Sequence, residues 1–186
     1  MNKTKLSLLL ITIIILISVV FFFTNKNKPA ESSLGSDPLN TTYTIEGLKV
    51  NLVDGIAEQA IPSSQSKVVT RVFGSPYFGD MNEDGVKDAV VFLTQSGGGS
   101  GIFYYVAVSI NKEEKYTGLD VAFLGDRIAP QNIQIKDGVA IVNYAERKAD
   151  EPMTARPSVG VSKYLVVENN LLKDVGAFSQ GDLIFS

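Results

Sequence analysis

The sequence contains no cysteine and no histidine among its 186 residues. Without cysteine, the chain can form neither a disulfide nor a thiolate zinc site. Without histidine, it has no imidazole acid–base chemistry and no Ser-His-Asp or Cys-His nucleophile system. Any catalysis would therefore have to use carboxylates, lysine, tyrosine or serine.

Two structural patterns are also missing. No segment shows a 3.6-residue hydrophobic period over about 11 residues, so the sequence predicts no long amphipathic helix. Residues 56–66 could form a short helix, although Pro62 interrupts them. No similarity recurs at a period of about 20–50 residues, which argues against a propeller or a solenoid.

The N-terminal segment differs from the rest of the chain. Lys3 and Lys5 precede an uncharged run of 18 residues, 6–23. As a helix this run would be about 27 Å long, close to the roughly 30 Å thickness of a bilayer core. We therefore predict that residues 6–23 contact the membrane as a transmembrane helix.

The same segment could instead be a cleaved signal peptide. Such peptides have a shorter apolar core, of about 7–15 residues, followed by a small-residue cleavage site. Here the run ends in three phenylalanines, and no small-x-small pair follows. We favour an uncleaved anchor over residues 1–23, in a single-pass protein of a bacterial cell membrane whose domain faces the outside or the periplasm.

Residues 24–41 are polar and contain proline, glycine and serine, which predicts a flexible linker. The extracytoplasmic domain would then span residues 42–186. After residue 30 the chain carries 13 basic and 20 acidic residues, a net charge of −7. This charge argues against a nucleic-acid partner and favours the attraction of cations.

Short runs of β-forming residues alternate with turn residues along this domain. Two runs, 89–93 and 102–110, are apolar at nearly every position, which predicts central strands covered on both faces. Asp137-Gly138 and Asn169-Asn170 have the composition of two-residue hairpin turns. We predict a mainly β fold of about eight antiparallel strands, folded as a sandwich or open barrel. The predicted strands are 43–45, 48–52, 68–73, 89–93, 102–110, 121–124, 133–135, 139–144 and 164–167.

The most specific motif lies at residues 80–88. Oxygen ligands recur at its first, third and fifth positions, a glycine follows, and the seventh position can offer a main-chain carbonyl. Such a set of hard oxygen ligands suits calcium. The predicted ligands are Asp80, Asn82, Asp84, the carbonyl of Val86 and Asp88.

This motif departs from an EF-hand, because its twelfth position is Val91 instead of a bidentate glutamate. It is similar to the DxNxDGxxD loops of FG-GAP repeats, but it occurs once, so a propeller is not implied. The missing carboxylate predicts weak binding. The alternative is an Asp/Asn/Gly-rich turn that binds nothing, although its four acidic side chains would then repel one another.

Other polar segments are weaker candidates. The glycine-rich residues 97–99 lack a phosphate-loop ending and predict a hairpin loop. Asp126 and Arg127 predict a local contact, and residues 146–160 a solvated loop. Two of the carboxylates of Asp126, Glu146 and Asp150 could serve as an acid–base pair, as in glycosidases. The aromatic side chains of residues 103–105 and 144 are expected in the core.

Most of the domain resembles one family. The strings YTIEGLKVNLVDG, GDMNEDGVKDAVVFLTQSGGGSGIFYYVAV, FLGDRIAPQ and VNYAERKADEPMTARPSVGVSKYLVVENNLLK are similar to uncharacterised bacterial secreted or membrane-anchored proteins. In that family the domain occurs alone or ahead of a META domain. The resemblance covers about residues 43–174. It implies an extracytoplasmic location and the loop at 80–88, and it implies no reaction.

Two functions are consistent with these features. The first is a non-enzymatic binding or structural module of the cell envelope, stabilised by calcium. It would present residues 97–99 and 146–160 to an envelope protein or glycan. The alternative is an envelope hydrolase that depends on carboxylates.

Overall fold

The computed structural model describes residues 35–62 and 65–176. The predicted membrane anchor and residues 24–34 of the predicted linker lie outside these residues. Within them, no helix is long and apolar enough to cross a membrane. The described chain contains twelve strands and no helix. The strands are β1 (Thr42–Ile45), β2 (Leu48–Asn51), β3 (Ile56–Ala60), β4 (Lys67–Gly79), β5 (Asp88–Ser96), β6 (Phe103–Lys112), β7 (Lys115–Gly118), β8 (Ala122–Asp126), β9 (Ala129–Lys136), β10 (Val139–Glu146), β11 (Val159–Glu168) and β12 (Leu171–Asp174).

The strands form three sheets whose ladders are all antiparallel. β1 and β2 form a hairpin. A six-stranded sheet has the order β3-β4-β5-β6-β7, with β8 also paired to β6, and a four-stranded sheet has the order β12-β11-β10-β9. The sheets form a curled half-barrel. The prediction of a mainly β, antiparallel domain is therefore confirmed.

The central strands β5 and β6 have a core on each face, as predicted. Alternate residues such as Val90 and Val106 pack toward the four-stranded sheet, where they meet Leu165. Their neighbours, including Val91 and Tyr105, pack under the β1–β2 hairpin. Strands covered on both faces need apolar residues at successive positions, and this explains why the two runs do not alternate.

The predicted hairpin turns are confirmed. Asp137 and Gly138 have φ angles of 49° and 70°, and Asn169 and Asn170 have 53° and 59°. Positive φ at both central residues matches the twist of antiparallel strands, and Asn, Asp and Gly adopt it most readily. The outermost strands of the two large sheets are short, except β9, which has eight residues. β3 and β8 have five residues each, and β7 and β12 have four.

The helix considered for residues 56–66 is wrong, because Ile56–Ala60 form β3, which pairs with β4. Ala57 is buried between exposed neighbours, and Asp54-Gly55 forms a turn with positive φ just before the strand. Pairing with β4 thus determines the extended conformation of this segment. β7 and β12 were not predicted, since four residues carry too weak a pattern.

The folded domain extends N-terminally to Gly35 in the described residues. The carboxylate of Asp37 accepts the main-chain N–H groups of Leu39 at 2.7 Å and Asn40 at 3.0 Å. Thr41 is buried, and its hydroxyl donates to the carbonyl of Tyr116 at 2.7 Å. Residues 35–41, which the sequence assigned to the linker, therefore pack against the domain.

Candidate functional site

The loop at residues 80–88 joins β4 to β5, at one end of the six-stranded sheet. Asp80 directly follows the last residue of β4, and Asp88 is the first residue of β5. Gly79 packs closely on β9, where an added Cβ would lie 2.5 Å from Cγ2 of Ile135. The loop thus begins at a point where the two large sheets approach each other.

The carboxylate of Asp80 organises the first half of the loop. Its Oδ2 accepts the N–H of Gly85 at 2.8 Å, and its Oδ1 accepts those of Asn82 at 3.3 Å and Asp84 at 3.2 Å. Desolvation acts to raise the pKa of Asp80, but the backbone donors together hold it below its ordinary value. The carboxylate is therefore ionised at neutral pH, as a calcium ligand must be.

Asn82 and Asp84 lie in the same turn. The Asn82 side-chain amide donates to Asp84 Oδ2 at 2.9 Å, and the N–H of Val86 donates to Asp84 Oδ1 at 2.8 Å. The chain reverses through positive φ angles of 61° at Glu83 and 83° at Gly85. The structure thus brings together three predicted ligands, Asp80, Asn82 and Asp84, on an exposed turn.

Asp88 is arranged differently. Its side chain is fully buried, and its two oxygens accept the N–H groups of Met81 and Asn111, each at 2.8 Å. Burial raises the pKa of Asp88, the two N–H donors oppose that shift, and the charges of Asp84 and Asp80 add to it. Asp88 therefore joins the start of the loop to β6, a role that the motif spacing did not predict.

The loop has carboxylate, amide and carbonyl oxygens, which are the ligands that suit a hard cation. In residues 35–62 and 65–176, no three or more His, Cys, Asp or Glu side chains are grouped so that they could hold a metal ion. One further acceptor lies beside the loop. The Asn111 amide donates to the carbonyl of Lys87 at 3.2 Å, and its Oδ1 is buried without a hydrogen-bond partner in the described structure.

A second surface lies at the opposite end of β5 and β6, and we call it the aromatic end. It consists of Ile102, Phe103, Phe123 and Met153, which are 40–51% exposed. The rings of Phe103 and Phe123 have their centroids 6.4 Å apart, and Phe123 lies 5.3 Å from the buried ring of Tyr105. The expectation that the aromatic residues are in the core holds for Tyr105 and not for Phe103.

Two arginines border the aromatic end. Arg127 forms an ion pair with Asp126 at 2.8 Å, which confirms the predicted contact, and has a φ of 49°. Arg147 donates to the carbonyls of Arg127 at 2.8 Å and Asp126 at 2.7 Å, and to the sulfur of Met153 at 3.6 Å. Asp126 also accepts the N–H of Ile102 at 2.9 Å. These bonds connect the loops that follow β5, β8 and β10.

The ion pair bears on the acid–base hypothesis. The hydrogen bond from Arg127 lowers the pKa of the Asp126 carboxyl below its ordinary value. A general acid at neutral pH needs a raised pKa instead. Glu146 is exposed at the end of β10, and Asp150 is exposed in the loop that follows. The structure thus gives Asp126 an ion-pairing role.

Comparison with known proteins gave no match. No protein-family model, no curated protein and no solved structure is similar to the chain. The functional argument therefore depends on the residues themselves.

Proposed function

We propose that the chain is a binding module of the bacterial cell envelope, anchored through residues 6–23, that contacts a protein partner through its aromatic end. The exposure of Ile102, Phe103, Phe123 and Met153 beside Arg127 and Arg147 is the observation that carries this proposal. Aromatic residues, methionine and arginine are enriched at the centres of protein interfaces.

The location of the aromatic end suits this role. It lies where the loop after β5 and the loop after β10 meet β8, and its Met153 belongs to residues 146–160, one of the two segments that the sequence predicts to face a partner. The hydrogen bonds of Arg147 and Asp126 fix these loops before binding, and a fixed surface loses less conformational entropy on association.

The described residues support the alternative of a carboxylate-dependent hydrolase less well. The Asp126 carboxylate is engaged by Arg127 and by the N–H of Ile102. Glu146 and Asp150 are solvent-exposed, whereas such a mechanism places its two carboxyl groups on either side of a bound substrate.

Replacing Phe123 by serine is expected to abolish partner binding. In affinity purification of the full chain from an envelope extract, one protein should be recovered with the parent and be reduced about tenfold or more with Phe123→Ser, as expected for a central interface aromatic. Phe78→Ser is the matched control, since Phe78 is 52% exposed and Phe123 is 51%.

Both variants should unfold cooperatively on heating, as the parent does, which shows that they are folded. Equal recovery with Phe123→Ser and Phe78→Ser would refute the proposal. Binding of the parent to lipid vesicles or to purified cell-wall glycan, lost only in Phe123→Ser, would assign the surface to those ligands instead.

We also propose that the loop at residues 80–88 binds one calcium ion, which stabilises the entry to β5. Asp80, Asn82 and Asp84 would supply side-chain oxygens and Val86 its carbonyl. Asp88 has unused lone pairs on oxygens that already accept N–H groups, so it could contribute as well. Calcium would supply positive charge between carboxylates that otherwise repel one another.

Calorimetric titration of calcium into the full chain is expected to give a single weak site. Extracellular calcium modules have dissociation constants of about 10⁻⁴–10⁻³ M. The heat should vanish when Asp80→Ala and Asp84→Ala are combined, because two of the charged ligands are removed. Glu83→Gln removes one charge from the same loop without removing a proposed ligand, so it should retain the heat. A parent protein without calcium heat would exclude the site.

A further inference from the structure

A groove lies between the β1–β2 hairpin and the edge of the six-stranded sheet. Its volume is about 500 Å³, which falls within the range of roughly 300–1,000 Å³ found for small-molecule sites. Most of its lining is apolar and comes from both sides: Ile45, Leu48 and Val50 on the hairpin, and Ala60, Ile61 and Val68 on the sheet side.

Three polar residues also line the groove, and none of them is basic. They are Glu46, Gln59 and Gln95. The amide nitrogen of Gln59 donates to the carbonyl of Lys49 at 3.0 Å, and that of Gln95 donates to the Thr70 hydroxyl at 3.3 Å. Each amide nitrogen keeps one N–H, but the oxygens of Glu46, Gln59 and Gln95 offer more acceptor positions to a ligand than these two donors.

Glu46 is held in a defined position at the groove. It lies in the hairpin turn with a φ of 50°, and its Oε1 accepts the hydroxyl of Tyr105 at 3.2 Å. Burial and the neighbouring Glu46 charge raise the pKa of Tyr105 to about 12. The phenol therefore keeps its proton, and this hydrogen bond persists at neutral pH.

We infer that this groove binds a small apolar ligand that ends in a protonated amine, with the ammonium group at Glu46 and the apolar part against Leu48 and Val68. Carboxylate and amide oxygens complement the three donors of an ammonium group, and no lysine or arginine is among the described residues that line the groove. The net charge of −7 after residue 30 also attracts cations at long range. This site shares none of its lining residues with the aromatic end and does not depend on the proposed protein partner.

Hexylammonium is a suitable probe, tested by calorimetry with the full chain in lipid nanodiscs and with empty nanodiscs as the blank. We expect saturable binding of hexylammonium, weaker binding of hexanol and no binding of hexanoate. Glu46→Gln should weaken hexylammonium binding about fivefold, the upper range for a solvent-facing ion pair, and leave hexanol binding unchanged.

Two further variants locate the ligand. Leu48→Ser changes a side chain that is 66% exposed, so the fold should persist while the affinities for both hexylammonium and hexanol fall. Glu58→Gln removes a carboxylate on β3 that does not line the groove, and it should have no effect. The inference is overturned if hexylammonium does not bind saturably, if Glu46→Gln binds it as the parent does, or if hexanoate binds equally well.

Discussion

Replacing Asp88 by alanine is expected to lower the free energy of unfolding by about 3–5 kcal/mol. The carboxylate is fully buried and accepts the N–H groups of Met81 and Asn111. Alanine would leave both N–H groups without an acceptor, that of Met81 buried and that of Asn111 partly buried, and each unsatisfied buried group costs about 1–3 kcal/mol. Urea denaturation followed by far-UV circular dichroism, in the absence of calcium, measures this loss.

Two variants separate the hydrogen bonds from the charge. Asp88→Asn keeps the shape of the side chain and one acceptor oxygen. Its free energy of unfolding should therefore lie between those of the parent and Asp88→Ala. Asp150→Ala removes an exposed aspartate from the loop after β10, at a position without positive φ, and should change stability by less than about 0.5 kcal/mol. A loss below about 1 kcal/mol in Asp88→Ala would show that water satisfies the two donors.

Replacing Gly118 by alanine is expected to cost about 2–3 kcal/mol. Gly118 ends β7 directly against β1, where a Cβ would collide with the carbonyl oxygen of Thr42 and lie 2.7 Å from Cδ1 of Tyr43. Because the first obstacle is main chain, the β1–β2 hairpin would have to move away from the sheet. Overpacking of this kind costs about 1–3 kcal/mol, and occasionally more. The shift of the urea midpoint measures it.

Gly160→Ala is the matched control. Gly160 lies in β11, and a Cβ added there would meet no atom within 4 Å. That substitution should leave the protein as stable as the parent or raise its stability by up to about 1 kcal/mol, since alanine restricts the unfolded chain. If the two glycine variants are equally stable, the hairpin is not packed against β7 as the structure shows.

The fold was predictable wherever one residue pattern had a single structural meaning. The continuous apolar runs in β5 and β6 predicted central strands, because only a strand with a core on each face needs them. Asp137-Gly138 predicted its turn because both residues tolerate positive φ. Residues 56–60 were not predictable, since their pairing with β4 depends on contacts distant in sequence.

The candidate site was predictable only where its geometry depends on residues close together in sequence. The spacing of Asp80, Asn82 and Asp84 already implies one turn, and the structure brings these three together. The role of Asp88 was hidden, because it depends on the N–H of Asn111, which lies in another strand. Likewise, the exposure of Phe103 could not be read from its sequence, where it adjoins the two tyrosines of a buried strand.

The short outer strands have a consequence for self-association. An unpaired strand edge can template pairing with a second molecule, and proteins limit this by keeping edges short and charged. β3, β7 and β12 have five, four and four residues, and they carry Glu58, Lys115 and Lys173. The longer β9 lies against β4, where Ile135 packs over Gly79. Copies of this domain crowded side by side would therefore remain separate molecules instead of joining into continuous sheets.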